Sequence, residues 1–146
     1  MPATLEQGTL TVDEIRAELA GQFATEQYHR TTLFPWFVCT DGALRMAELC
    51  GAFWLLDVIA SHVGTKRRLR AERFQLWVLR FLPEGAKNKA SVTCATDSGP
   101  GGNVLAQQLI PHTDFPLPEG IELYCEYGAE SPDGKPLWIV SLPSEH

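Results

Sequence analysis

Residues 41–63 read DGALRMAELCGAFWLLDVIASHV. Thr40 or Asp41 can cap a helix here, and apolar side chains then follow on nearly every side of it. The stretch is expected to form one long buried helix against which the rest of the chain packs. At 100° per residue, Arg45, Glu48 and Ala52 share one arc, the expected wet edge. Met46, Cys50, Trp54, Asp57 and Ser61 share another. Asp57 is then a carboxylate set among apolar residues, where it needs a compensating partner. The run from Ala43 to Ala60 also contains Arg45, Glu48 and Asp57, charges that lipid penalises, so it reads as a core helix and not a membrane span.

On the N-terminal side, TVDEIRAELAGQF (11–23) places Val12, Ile15, Leu19 and Phe23 on one face of a short helix. Thr11 with Glu14 three residues later fits a capping box, and Asp13 is the other capping candidate. Residues 1–10 are expected to be loosely ordered ahead of it. Tyr28, His29 and Arg30 then read as a short strand. Pro35 forbids a helix through LFPWF, so Phe34, Trp36 and Phe37 are expected to plug the core's edge.

On the C-terminal side the period changes from helix to strand. FQLWVLRFL (74–82) is apolar on both faces, as a central strand is. ASVTCATD, VLAQQLIPH, IELYCEY and PLWIVSL follow, separated by PEGAKNK, DSGPGGN, TDFPLPEG and SPDGK, all rich in turn residues. In IELYCEY, Ile121, Leu123, Cys125 and Tyr127 alternate with Glu122, Tyr124 and Glu126, the pattern of a half-buried strand. The expected fold is α+β: an antiparallel four- or five-stranded meander packed against one long buried helix, with a short N-terminal helix. At 146 residues this is a single domain.

Composition is that of an ordinary globular protein, 45% hydrophobic and 21% charged. The N-terminus has neither a basic region nor an apolar run of the secretory kind, so a cytoplasmic setting is expected. Cys39, Cys50, Cys94 and Cys125 stand apart without a CxxC pair, and read as buried thiols and not as a disulfide framework or zinc site. The net charge of −6 is unevenly spread: Lys66 to Lys89 is a basic middle, and the chain beyond Ala90 is acidic. The two regions are either complementary within the fold or separate partner surfaces.

Motifs that would carry chemistry are missing. There is no GxSxG elbow, no HExxH, no EF-hand loop and no Walker or dinucleotide fingerprint. The GPGG at Gly99–Gly102 has no helix after it to supply a phosphate-binding dipole. No cofactor or metal is therefore expected. Cys50 can be drawn beside His112 and Asp114, but nothing marks the thiol as activated. The polar residues that interrupt apolar segments remain: Tyr28, His29, Arg30, Asp41, Asp57, Ser61, His62, Asp97, His112 and Asp114. Asp57 is the sharpest of them. Either it hydrogen-bonds a buried backbone group, Tyr28 or Arg30 and rigidifies the fold, or, with Trp54 as a stacking wall and Arg30 or His29 as counter-charge, it lines a pocket for a small polar, nucleotide-like ligand. Tyr28, Ser61, His112 and Asp114 complete that candidate set. Lys66, Arg67, Arg68, Arg70 and Arg73 form the candidate nucleic-acid contact, although an isoelectric point near 5.1 is unlike a dedicated nucleic-acid binder.

In order along the chain, TEQYHR, TDG opening a helix, WLLDVIASH, FQLW, IPHTDFPL and LPSEH follow one another. From about Thr25 to His146 this succession resembles a family of small uncharacterised bacterial proteins, also met on phages and plasmids, grouped as a domain of unknown function. The resemblance implies a bacterial or mobile-element origin and a cytosolic setting. It brings no activity and no catalytic residues. Where such families typically show Tyr or Gln, this chain has His62 and His112, which argues against catalytic imidazoles. The reading that follows is a binding protein that contacts or inhibits a host protein or assembly. The alternatives are a nucleotide-like ligand binder around Asp57 and a hydrolase using His29 or His112 with an aspartate.

Overall fold

In a computed structural model, residues 10–83, 88–95, 104–130 and 136–145 are described. Helices α1 (Val12–Ala20), α2 (Asp41–Cys50), α3 (Phe53–Thr65) and α4 (Arg67–Ala71) accompany seven strands. These are β1 (Tyr28–His29), β2 (Phe37–Thr40), β3 (Phe74–Phe81), β4 (Ala90–Ala95), β5 (Val104–Ile110), β6 (Ile121–Glu130) and β7 (Pro136–Ser141). A 3-10 turn covers Pro143–Glu145. Residues 1–9, Asp97, the GPGG at Gly99–Gly102 and the SPDGK turn, for which the sequence sets expectations, lie outside the described residues.

The expected long helix is two helices. Gly51 sits at φ 61°, the left-handed conformation that ends helices, and its N–H donates to the Ala47 carbonyl. Ala52 N–H donates to the same oxygen at 2.9 Å. The chain then restarts as α3 in a new direction. This break resets the angular bookkeeping: Ala52, expected on the wet edge, is fully buried. On α3, Leu55, Leu56, Ile59, Ala60 and Val63 face the core, while Phe53, Asp57 and Ser61, four residues apart, face solvent. Asp57 is therefore not a carboxylate among apolar residues.

At α1 the Thr11–Glu14 capping box forms in both directions. Gly21 closes the helix, so Phe23 falls beyond it and is exposed, against the expectation that it joins Ile15 and Leu19. The aromatic stretch behaves as its sequence implies. Phe37 is buried, and Phe34 and Trp36 pack half-buried on the core.

The sheet runs β1-β2-β7-β6-β3-β4-β5. It is larger than the expected four- or five-stranded meander and differently connected. β3, β4 and β5 form a meander and β6 pairs with β7, all antiparallel, but β6 lies against β3 instead of β5. β2 adds to β7 in parallel, and β1 adds to β2. Gly120, at φ 78°, makes the approach to β6 workable, because any Cβ there would collide with the Leu79 carbonyl. Gly128 marks the bulge between Tyr127 and Ala129.

All four helices lie on one face of this sheet. Ile15, Leu19, Met46, Leu56, Ile59 and Leu69 cluster with Phe37, Cys39, Trp77, Leu79, Leu123, Cys125 and Val140. Burying Gln75 among them is tolerated because its amide is satisfied. Its Nε2 donates to the Leu69 and Glu72 carbonyls at 2.7 and 3.0 Å, and its Oε1 accepts from Trp77 Nε1 at 2.9 Å. Val38, Leu76 and Leu137 are buried outside the cluster, on the opposite face, which no helix among the described residues covers.

Candidate functional site

The polar centre of the molecule is the junction where β2 becomes α2. Thr40 is extended and caps α2, its Oγ1 accepting from Ala43 N–H at 3.2 Å. Two carboxylates then divide the remaining donors. Glu145, brought back by the 3-10 turn, accepts from Thr40 Oγ1 at 2.6 Å, from Gly42 N–H at 2.9 Å and from Leu142 N–H at 2.9 Å. Gly42 must be glycine for this, since a Cβ would stand 2.5 Å from Glu145 Cδ. Asp41 accepts from Glu26 N–H at 2.8 Å and lies 2.7 Å from His29 Nε2. The Glu26 amide first and the imidazole second hold the Asp41 carboxyl below its ordinary value.

Beside this junction, on the uncovered face, is a recess of about 390 Å³. Thr25, Tyr28, Thr40, Glu126, Ser141 and Glu145 line it, so hydroxyls and two carboxylates surround the opening. Such a lining suits a cationic or hydroxyl-bearing group. It has no thiol, and all four cysteines are free and buried. Burial raises the Cys39 and Cys50 thiols to about 11 and Cys94 to about 12, and pushes Cys125 well up, leaving none of them activated as a nucleophile.

The candidate residues are dispersed. Tyr28 and His29 meet the junction through β1, Tyr28 in the recess and His29 on Asp41. Arg30 is exposed just beyond β1. Trp54 packs half-buried on the core, and Asp57 and Ser61 face solvent on α3. Among the described residues no hydrogen bond or ion pair joins Asp57 to His29, Arg30 or Tyr28, and its side chain is exposed. His112 and Asp114 are exposed on either side of buried Thr113, in a loop and not on a strand. His62 is structural: its Nε2 lies 2.7 Å from Gln108 Oε1, tying α3 to β5, and its ring packs on Trp77. Among the described residues no group of His, Cys, Asp and Glu could hold a metal ion, and no helix is long and apolar enough to cross a membrane.

Glu145 and Glu126 had escaped the sequence reading. Glu145 lies 105 residues from Thr40, and no local pattern announces the contact. Residues 13–146 match the model of a Family of unknown function (DUF6876). The chain belongs to that family. No curated protein and no solved structure matches it. The DUF6876 match spans α1 through the Glu145 turn, so both halves of the junction lie within the family's region.

Proposed function

We propose that this DUF6876 chain is a non-enzymatic binding protein, of bacterial or mobile-element origin, that holds a partner protein against its uncovered sheet face. What supports this is the character of that face. An antiparallel sheet with one wet side normally alternates apolar-in and polar-out. Here the outward positions of β7, β6 and β3 include partly exposed Ile139, Tyr124, Phe74 and Val78, set around buried Val38 and Leu76. Phe74 and Tyr124 stack with centroids 4.8 Å apart, and Phe74 remains 38% exposed. Glu122 and Glu126 border this patch, and the recess with Glu126 and Glu145 opens at its end. The complementary partner presents an apolar surface with a lysine or arginine that reaches the recess.

The test compares proteins captured from bacterial lysate by the wild type and by Phe74→Glu/Tyr124→Glu. The substitutions put charge onto the patch without touching the helix-side core. A protein retained by the wild type and lost by the variant, with melting still cooperative, supports the reading. Identical captured sets at identical abundance would remove it.

A further inference from the structure

A second recess, of about 350 Å³, opens on the helix side, where the end of α3 meets β2, β6 and β7. Trp36, Tyr127, Trp138, Gly64 and Arg70 line it. Its rings are braced. Tyr127 lies on Trp138 with centroids 4.8 Å apart, and Trp36 lies 4.9 Å from Phe34. Trp36 also closes over Gly64, where a Cβ would stand 3.0 Å from Cζ2. The Trp36 carbonyl accepts from Trp138 N–H at 2.9 Å, which fixes the two indole-bearing segments side by side.

Cations rim this aromatic recess. Arg70 donates through Nη1 to the Val63 and Gly64 carbonyls at the end of α3. Arg73 lies over the Tyr127 ring, 5.0 Å from its centroid. Arg67, three residues before Arg70, lies on its side of α4, and Lys66 precedes the helix in an extended conformation; both are exposed. No ion pair joins Lys66, Arg67, Arg68 or Arg70 to a carboxylate among the described residues. The helix is also held still, because Gln75 Nε2 bonds the carbonyls of Leu69 and Glu72 that end it. Helix capping accounts for Arg70, but gives no reason for unpaired charge at Lys66 and Arg67 in a chain of net charge −6.

We propose that this recess binds a nucleobase carrying a phosphate, with the base against Trp36 and Tyr127 and the phosphate against Lys66, Arg67 and Arg70. Aromatic faces accept any base, and a cluster of cations selects the phosphate-bearing form. A free mononucleotide and a single-stranded nucleic acid present the same chemistry. The proposal is independent of the docking face on the other side of the sheet.

Calorimetric titration of the full chain with AMP, an eight-residue single-stranded oligoadenylate, adenosine and inorganic phosphate tests it. Saturable binding of AMP or the oligonucleotide below about 1 mM is expected, with adenosine and phosphate each weaker by about tenfold or more. Tighter binding of the oligonucleotide, falling steeply with salt, identifies a strand as the ligand. Tighter binding of AMP identifies a free nucleotide. Lys66→Glu/Arg67→Glu changes only exposed, unpaired side chains and should weaken binding by about tenfold or more with melting unchanged. Trp36→Leu, checked for folding by its melting curve, should lower AMP to the level of phosphate. No saturable binding of either ligand, unchanged affinity in the double variant, or phosphate binding as tightly as AMP would each overturn the proposal.

Discussion

The start of α2 and the segment after α3 are both crowded with charge, and they treat it in opposite ways. At the first, Asp41 and Glu145 are each met by donors, most of them from distant parts of the chain. At the second, Lys66, Arg67 and Arg68 have no acidic partner among the described residues, although the chain as a whole is acidic. A charge saturated by backbone donors is a structural device, because removing it strands the donors. A charge left in solvent adds little to folding and remains free to meet a ligand. The difference separates what holds this molecule together from what it can offer.

The strongest way to break that comparison is Glu145→Ala. It strands the Gly42 and Leu142 amides and the Thr40 hydroxyl, and should cost about 2–3 kcal/mol by urea denaturation. A loss indistinguishable from zero would show that the junction is not a structural device. Thr40→Val keeps the shape but removes both the cap to Ala43 and the donor to Glu145, with an expected loss of about 1–2 kcal/mol in the same assay.

Acid titration sharpens the same point more gently. Asp41 is held below 3.8 by the Glu26 amide and His29, and Glu119 is held at about 2, chiefly by the hydrogen bond from Arg16. Both folded values lie below the unfolded ones. Their stabilisation is therefore fully present above the ordinary carboxylate range and is lost as pH falls from about 4.5 towards 2. Thermal melts between pH 5 and pH 2 should show a shallower decline for Asp41→Asn and for Glu119→Gln than for the wild type. The effect per group is small, because solvent reaches both carboxylates: the Glu119 side chain is 50% exposed and the Asp41 side chain 34%. Smallest of all, Lys66→Ala/Arg67→Ala should leave stability within about 0.5 kcal/mol of the wild type. A larger loss would place those cations among the structural charges.

Much of the architecture was legible because it depends on neighbours in sequence. The Thr11–Glu14 box, the Thr40 cap, the alternation in Ile121–Tyr127 and the two apolar faces of β3 each follow from local periodicity or capping chemistry. Gly51 is a local signal too: a glycine between two apolar helical patterns is a natural left-handed helix end. An unbroken 100° phase through Gly51 sets Asp57 among apolar side chains, whereas the break sets it in solvent. The unpaired basic segment, too, was visible in sequence, but its aromatic neighbours were not. Tyr127 faces Trp138 across the antiparallel β6–β7 pair, and Trp36 joins them only because β2 adds to β7 in parallel.

By itself the amino-acid order determined that helices would fill the first half of the chain and a run of strands the second, around buried thiols, and roughly where most of these elements would lie. Hydrophobic period, capping and turn residues act over one or two turns, and that range is enough for elements. Only the tertiary structure decided the seven-stranded order, the face on which the described helices pack, and the partners of each charge. Those depend on contacts such as Thr40 with Glu145, across 105 residues, where chain closure and packing select among many pairings that local chemistry leaves equal.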